Sequence, residues 1–225
     1  MTHALQTFSL RPSRQTVTVL LTGKTRNAFL ACLTPVSLIM VAQTCKVAYD
    51  AVSDFCTAAY DINRHLLCFF SHPLAFRSLQ AKSGTLISGS NALQFLNREV
   101  YIASDLDMYT HPGYAKRIGT WLIEEEGYHF LPTRPHVTDF AGVTHRSWAP
   151  WQTRFKNSPV TFEEDLADKY RFGGIGSVYH FHKICTAGTP PLRVQIIEAV
   201  HTPIQAILNF HSSMSVPLTA CSMTI

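Results

Sequence analysis

The first 49 residues contain no aspartate or glutamate, although Arg11, Arg14, Lys24, Arg26 and Lys46 lie among them. Such a one-sided front hints at targeting or at an anionic partner. The formal net charge of +4 is mild, and no basic stripe with interleaved aromatics occurs, which disfavours a dedicated nucleic-acid surface. None of the six cysteines (Cys32, Cys45, Cys56, Cys68, Cys185, Cys221) belongs to a C-x-x-C pair. This argues against a structural zinc site and a dense disulfide framework, and it predicts an intracellular location, cytoplasmic or nuclear. Long apolar runs are also missing: the early uncharged run from Asn27 to Cys45 is interrupted by Pro35, Ser37, Gln43 and Thr44, so no membrane span is predicted. What is present is 46% apolar against 15% charged residues in 225, enough for one sizeable core or a medium domain plus a short helical module.

Residues 1–27 lack helical periodicity and predict an irregular leader. From 28 to 70 apolar residues recur at helical spacing (Phe29, Leu30, Leu33, then Leu38, Val41, Ala42, then Val52, Phe55, Ala59), with a break near Pro35. Types then alternate. A strand is predicted at 85–88, a short helix at 91–97, a strand at 104–110, an amphipathic helix carrying Tyr114, Ile118, Trp121 and Leu122, and a strand at 128–131. Strand, helix and strand between Asp105 and Leu131 predict a crossover joining neighbouring parallel strands. Residues 132–174, with Pro132, Pro135, Pro150 and Pro159, predict an insertion, and 175–183 with 192–200 predict an antiparallel hairpin. Thr202 and Pro203 then open a helix with Ile204, Ile207 and Leu208 on one face, and 212–225 has no charge and no period. The expected fold class is α/β (α+β): a small mixed sheet flanked by helices over 71–211, after a short helical module.

The chemistry concentrates in two short runs, Leu86-Ile87-Ser88-Gly89-Ser90 and Ser104-Asp105-Leu106-Asp107-Met108. Strand alternation puts Asp105 and Asp107 on one face and Leu106 and Met108 on the other. Two carboxylates about 4 Å apart repel by roughly 4 kcal/mol at an effective dielectric near 20, so a cation is expected between them. Oxygen ligands of this kind suit Mg²⁺, which uses one or two carboxylates and completes its shell with water and nucleotide phosphates. The Gly89-Ser90 turn at a helix start supplies backbone N–H donors for phosphate.

A hydrophobic-Gly-Ser turn followed by Asp-x-Asp on the next strand resembles the nucleotidyltransferase superfamily of polymerase-β-like folds. The stretches 75–80, 87–96 and 104–113 look more narrowly like fungal nucleotidyltransferase-like proteins that carry an F-box-like segment in front. Residues 33–52, with Gln43-Thr44-Cys45-Lys46, are similar to the second half of an F-box, without its Leu-Pro start. The resemblance implies that Gly89 and Ser90 bind a nucleoside triphosphate, that Asp105 and Asp107 hold Mg²⁺, and that the reaction is transfer of a phosphorus-containing nucleotidyl group. It also implies a third carboxylate on a later strand.

On the candidate strand, 192–200, parity puts Arg193, Gln195 and Ile197 on one face and Val194, Ile196 and Glu198 on the other. The third position therefore falls to Gln195, a poor general base, and Glu198 serves only if a bulge reverses it. Binding of Mg·NTP without turnover is then one expected outcome. Two alternatives stand beside it: a non-catalytic protein whose helical front docks a ubiquitin-ligase adaptor, and a fragment of a longer gene product. His180 and His182 share a strand face but have no further ligands at a zinc-like spacing, so they are expected to be strand-surface histidines.

Overall fold

A computed structural model of the chain describes residues 14–101, 104–132, 139–142, 174–185 and 189–209. The chain divides into two compact units, Met1–Asp61 and Ile62–Ile225. Most of the expected insertion and the charge-free tail lie outside the described residues.

In the first unit four helices, α1 (Arg14–Thr22), α2 (Arg26–Ala31), α3 (Pro35–Ala42) and α4 (Lys46–Ala59), enclose Leu21, Leu30, Leu38, Ala48, Ala51, Val52 and Phe55. The break expected near Pro35 is present: α2 ends at Ala31, and the proline starts the next helix. Pro35 sits in the first turn of α3, and the Thr34 side chain caps it by accepting from the Ser37 N–H at 3.1 Å. The leader expected to be irregular contains α1. Its sequence is rich in Thr and Val, poor helix formers, and burial of Leu21 in the shared core overrides that preference.

The second unit is α+β. Helices α5 (Ile62–Leu66) and α6 (Pro73–Ser83) lead into β1 (Leu86–Ser88), α7 (Gly89–Asn97), β2 (Leu106–Thr110), α8 (Ala115–Glu124) and β3 (His129–Leu131). Then come β4 (Ile175–Lys183), β5 (Leu192–Ala199) and a last helix, α9 (Pro203–Leu208). Residues 62–70, grouped with the front by their helical spacing, pack here through Leu66, Phe69 and Phe70. The five strands form one sheet in the order β1-β2-β5-β4-β3, in which only β2 and β5 are parallel neighbours.

The expected hairpin β4–β5 is present, but β2 and β3 are not neighbours. β5 and β4 lie between them. The cause is apolar content: β5 buries Val194, Ile196 and Ile197 and suits the centre of a sheet covered on both faces, whereas β3 is three residues long with exposed ends and suits an edge.

One sheet face (Ile87, Leu106, Met108, Tyr179, Phe181, Val194, Ile196) packs against Phe70, Phe76, Ile118, Leu122 and Tyr128. Helix α8 lies so close that a Cβ at Gly119 would collide with the Phe140 ring. The opposite face is covered at one end by α9, where Ala206 and Ile207 meet Tyr109, Ile175, Ile197 and Ala199. Thr202 caps α9 as expected, accepting from the Gln205 N–H at 3.2 Å. The buried side of α9 differs from the expected one: Pro203, Ala206 and Ile207 face inward, while Ile204 and Leu208 are exposed. The small Ala206 side chain permits the close approach.

Glu126, whose side chain is fully buried, ties the far end of α8 to the start of α6. Its carboxylate accepts from the Ser71 N–H at 2.6 Å and the His72 N–H at 2.9 Å, with Lys183 Nζ 3.8 Å away. His72, at the N-cap of α6, makes no side-chain cap, so this remote carboxylate takes its place at the positive end of the helix dipole. Among the described residues no helix is long and apolar enough to cross a membrane.

Glu126→Ala removes a buried carboxylate and leaves the Ser71 and His72 N–H groups and the Lys183 ammonium without this acceptor. Urea denaturation of the variant is expected to show a loss of about 3 kcal/mol. A loss under about 0.5 kcal/mol would contradict the tethering role.

Candidate functional site

The part of the sheet face not covered by α9 is polar. Register fixes a single row across all five strands, Ser88, Asp107, Gln195, His180 and Leu131, each opposite the next. Side chains directly opposite one another point to the same face. A second row, Arg193, His182 and His129, runs beside it, and the His182 and His129 rings lie 5.7 Å apart. Asp105 immediately precedes β2 and joins the first row through a hydrogen bond from Gln195 Nε2 to Asp105 Oδ2 of 2.9 Å.

The two acids expected to share a face do so, and they are poorly compensated. Asp105 Oδ1 is buried and has no hydrogen-bond partner. Burial first, and then the charge of Asp105, push the Asp107 carboxyl up to about 7. Asp107 also lies against the glycine turn. Gly89 has φ +76°, and a Cβ placed there would collide with Asp107 Oδ2. Glycine is thus required twice at this position, for its left-handed backbone and for the approach of the carboxylate. Gly89 opens α7, whose N-cap Ser88 makes no side-chain cap. Ser90, exposed, contacts Ser104 Oγ at 3.0 Å.

Gln195 stands in the third position, as parity predicts, opposite Asp107. Glu198 does not reach it. The irregularity in the β4–β5 ladder lies between Ile175 and Ser177 on β4 and leaves β5 unreversed, so Glu198 stays on the opposite face. There its Oε1 accepts from the Gly113 N–H at 2.6 Å, and burial pushes its carboxyl upward. Lys116 and Arg117 of α8 are exposed, on a helix that covers the far face.

Two residues of this face carry more than surface strand histidines would. His180, opposite Gln195, and Arg193 line a hollow of about 340 Å³ together with Asp105, Gln195, Leu131 and Pro132. Burial lowers the proton affinity of the His180 imidazole, and the nearby Asp105 charge partly restores it. The signal for His180 was in the hairpin: equal steps back from Lys183 and forward from Leu192 bring His180 opposite Gln195.

The donor set suits a hard divalent cation. It offers an orphaned carboxylate oxygen, a second carboxylate in repulsive contact, and a side-chain amide. Among the described residues no cluster of three or more His, Cys, Asp or Glu side chains forms a closed metal cage. Asp105 and Asp107 would hold a cation that leaves positions open for further oxygen ligands. No protein-family model, no curated protein and no solved structure matches this chain.

The shift on Asp107 has a consequence for stability. A carboxyl raised on folding favours the folded state fully only below its unfolded value of about 4, and that contribution is lost as pH rises through about 7. Asp107→Asn removes the titration. Thermal denaturation in the absence of divalent ions should therefore show wild-type stability falling between about pH 4 and 7 relative to the variant, with the variant more stable at pH 8. Parallel pH profiles for the two proteins would contradict the assignment.

Proposed function

We propose that the second unit binds a Mg²⁺·nucleoside triphosphate and transfers its nucleotidyl group to an acceptor hydroxyl, as its resemblance to the nucleotidyltransferase superfamily implies. The observation that carries this reading is the orphaned Asp105 oxygen beside the desolvated Asp107 carboxylate at the Gly89 turn. Uncompensated carboxylates at a helix start whose backbone donors are not taken by a side-chain cap suit a cation–polyphosphate pair. When bound, Mg²⁺ supplies charge neutralisation on the phosphates and fixes their orientation.

The chain's own residues divide the remaining tasks. Gly89 and Ser90 offer N–H donors to the phosphates, Asp105 and Asp107 face the cation, and the Gln195 amide orients Asp105. An amide takes no proton, so Gln195 does not activate the acceptor hydroxyl as a carboxylate would. The turnover expected of this arrangement is slow.

Titration calorimetry with Mg·ATP and Mg·CTP should give binding to the intact protein and none to the Asp105→Ala, Asp107→Ala double variant, with circular dichroism confirming that the variant folds. Absence of binding to the intact protein, or unchanged binding in the folded double variant, would contradict the reading. Gln195→Asp supplies a third carboxylate and should raise nucleotidyl transfer about 100-fold.

A second reading concerns the first unit. Val36, Ile39 and Met40 lie on one side of α3 and are exposed at 66%, 59% and 64%, which supports a reading in which this helical front docks a ubiquitin-ligase adaptor. Co-purification with a cullin-type adaptor, lost in Ile39→Asp, Met40→Asp, is the expected outcome. No association at all would remove the reading.

A further inference from the structure

The strand order separates the surroundings of the acid pair into two sides. Gly89 follows β1, on one side of β2. The hollow lined by Asp105, His180, Arg193, Gln195, Leu131 and Pro132 lies on the other side, over β5, β4 and β3. Attack on phosphorus in line with the leaving group needs the entering oxygen and the departing phosphate on opposite sides of the reacting centre. With the triphosphate tail at Gly89, the hollow is where an acceptor hydroxyl would enter.

The lining of the hollow restricts what that acceptor is. About 340 Å³ is the size of a small-molecule site. Among the described residues no side chain pairs with the Arg193 guanidinium, which stands opposite His182 and one row away from Asp107 and Gln195. Guanidinium binds carboxylate or phosphate with two parallel hydrogen bonds. Leu131 and Pro132 offer an apolar wall, and His180, Asp105 and Gln195 offer hydrogen-bonding groups at the end nearer the acid pair.

We infer that this hollow recognises the anionic end of a small hydroxylated acceptor, a carboxylate or a phosphate, through Arg193, and directs its hydroxyl toward Asp105. The inference rests on the transferase reading above. In the step it implies, the acceptor oxygen forms a bond to the α-phosphorus as the bond from that phosphorus to the bridging oxygen breaks. Pyrophosphate leaves with the electron pair, and the hydroxyl proton passes to solvent.

Nuclear magnetic resonance of the intact, isotope-labelled protein tests this with glycerol 3-phosphate, glycerate and neutral glycerol as probes. At least one of the two anions should shift the Arg193 guanidinium and His180 ring signals, and glycerol should not. The responding probe distinguishes a phosphate-bearing from a carboxylate-bearing acceptor. Arg193→Met should weaken that probe about tenfold or more, Arg193→Lys, which keeps the charge but loses the paired hydrogen bonds, should weaken it by a smaller factor, and Mg·ATP affinity should change less than about twofold in either variant. No shift with either anion, equal probe binding in Arg193→Met, or loss of Mg·ATP binding in step with the probe would overturn the assignment. Probe binding through Arg193 in a protein that binds no Mg·ATP would overturn the transferase reading and leave anion recognition by the hollow standing.

Discussion

The site depends on one unfavourable interaction, the enforced proximity of the Asp105 and Asp107 carboxylates. Neither acid is free to turn away. Gln195 holds one oxygen of Asp105, the other oxygen is buried, and Asp107 is set by strand β2 against the Gly89 turn. Burial and mutual repulsion together make proton uptake by Asp107 favourable near neutral pH. Such an arrangement opposes folding unless a cation or a proton accompanies it, which is the physical ground for the proposed cation site.

The rest of the second unit can be understood as what holds that pair in place. One sheet face is given over to an apolar core under α5, α6 and α8, with Glu126 fastening α8 to the start of α6. The other face is divided. Helix α9 covers one end with Ala206 and Ile207, and the end that α9 leaves carries Asp105, Asp107, Gln195, His180 and Arg193. Strand β5 is the pivot, because its two faces serve both purposes: Val194 and Ile196 fill the core, while Arg193 and Gln195 face the acids and the hollow.

Much of this was readable in the chain because strand parity is a local property. Alternation alone placed Asp105 with Asp107 and put Gln195 rather than Glu198 opposite Asp107, and two β-like runs flanking a glycine- and proline-bearing turn located the β4–β5 hairpin. The cap at Thr202 was equally local. What was not readable depended on distant contacts. The order of strands follows from which strand can bury both faces, so β3 went to the edge and β5 to the centre against the expectation of a simple crossover. Helix α1 forms because its Leu21 finds a core contributed by later helices, and the buried side of α9 is decided by how closely Ala206 lets it approach the sheet. His180 and Arg193 fell between the two cases. Their strand positions were visible, but their place beside the acid pair required the register of the hairpin and the neighbouring of β2 and β5.

Asp105 and Asp107 form one coupled pair, which a divalent cation would relieve under the proposed function. Carbon-13 resonances of the aspartate side-chain carboxyls, followed across pH with and without Mg²⁺, report on this directly. Asp107 is expected to titrate near pH 7 in the metal-free protein, and Mg²⁺ to draw its midpoint toward the ordinary carboxylate range of about 4. An Asp107 midpoint near 4 that is indifferent to Mg²⁺ would contradict this.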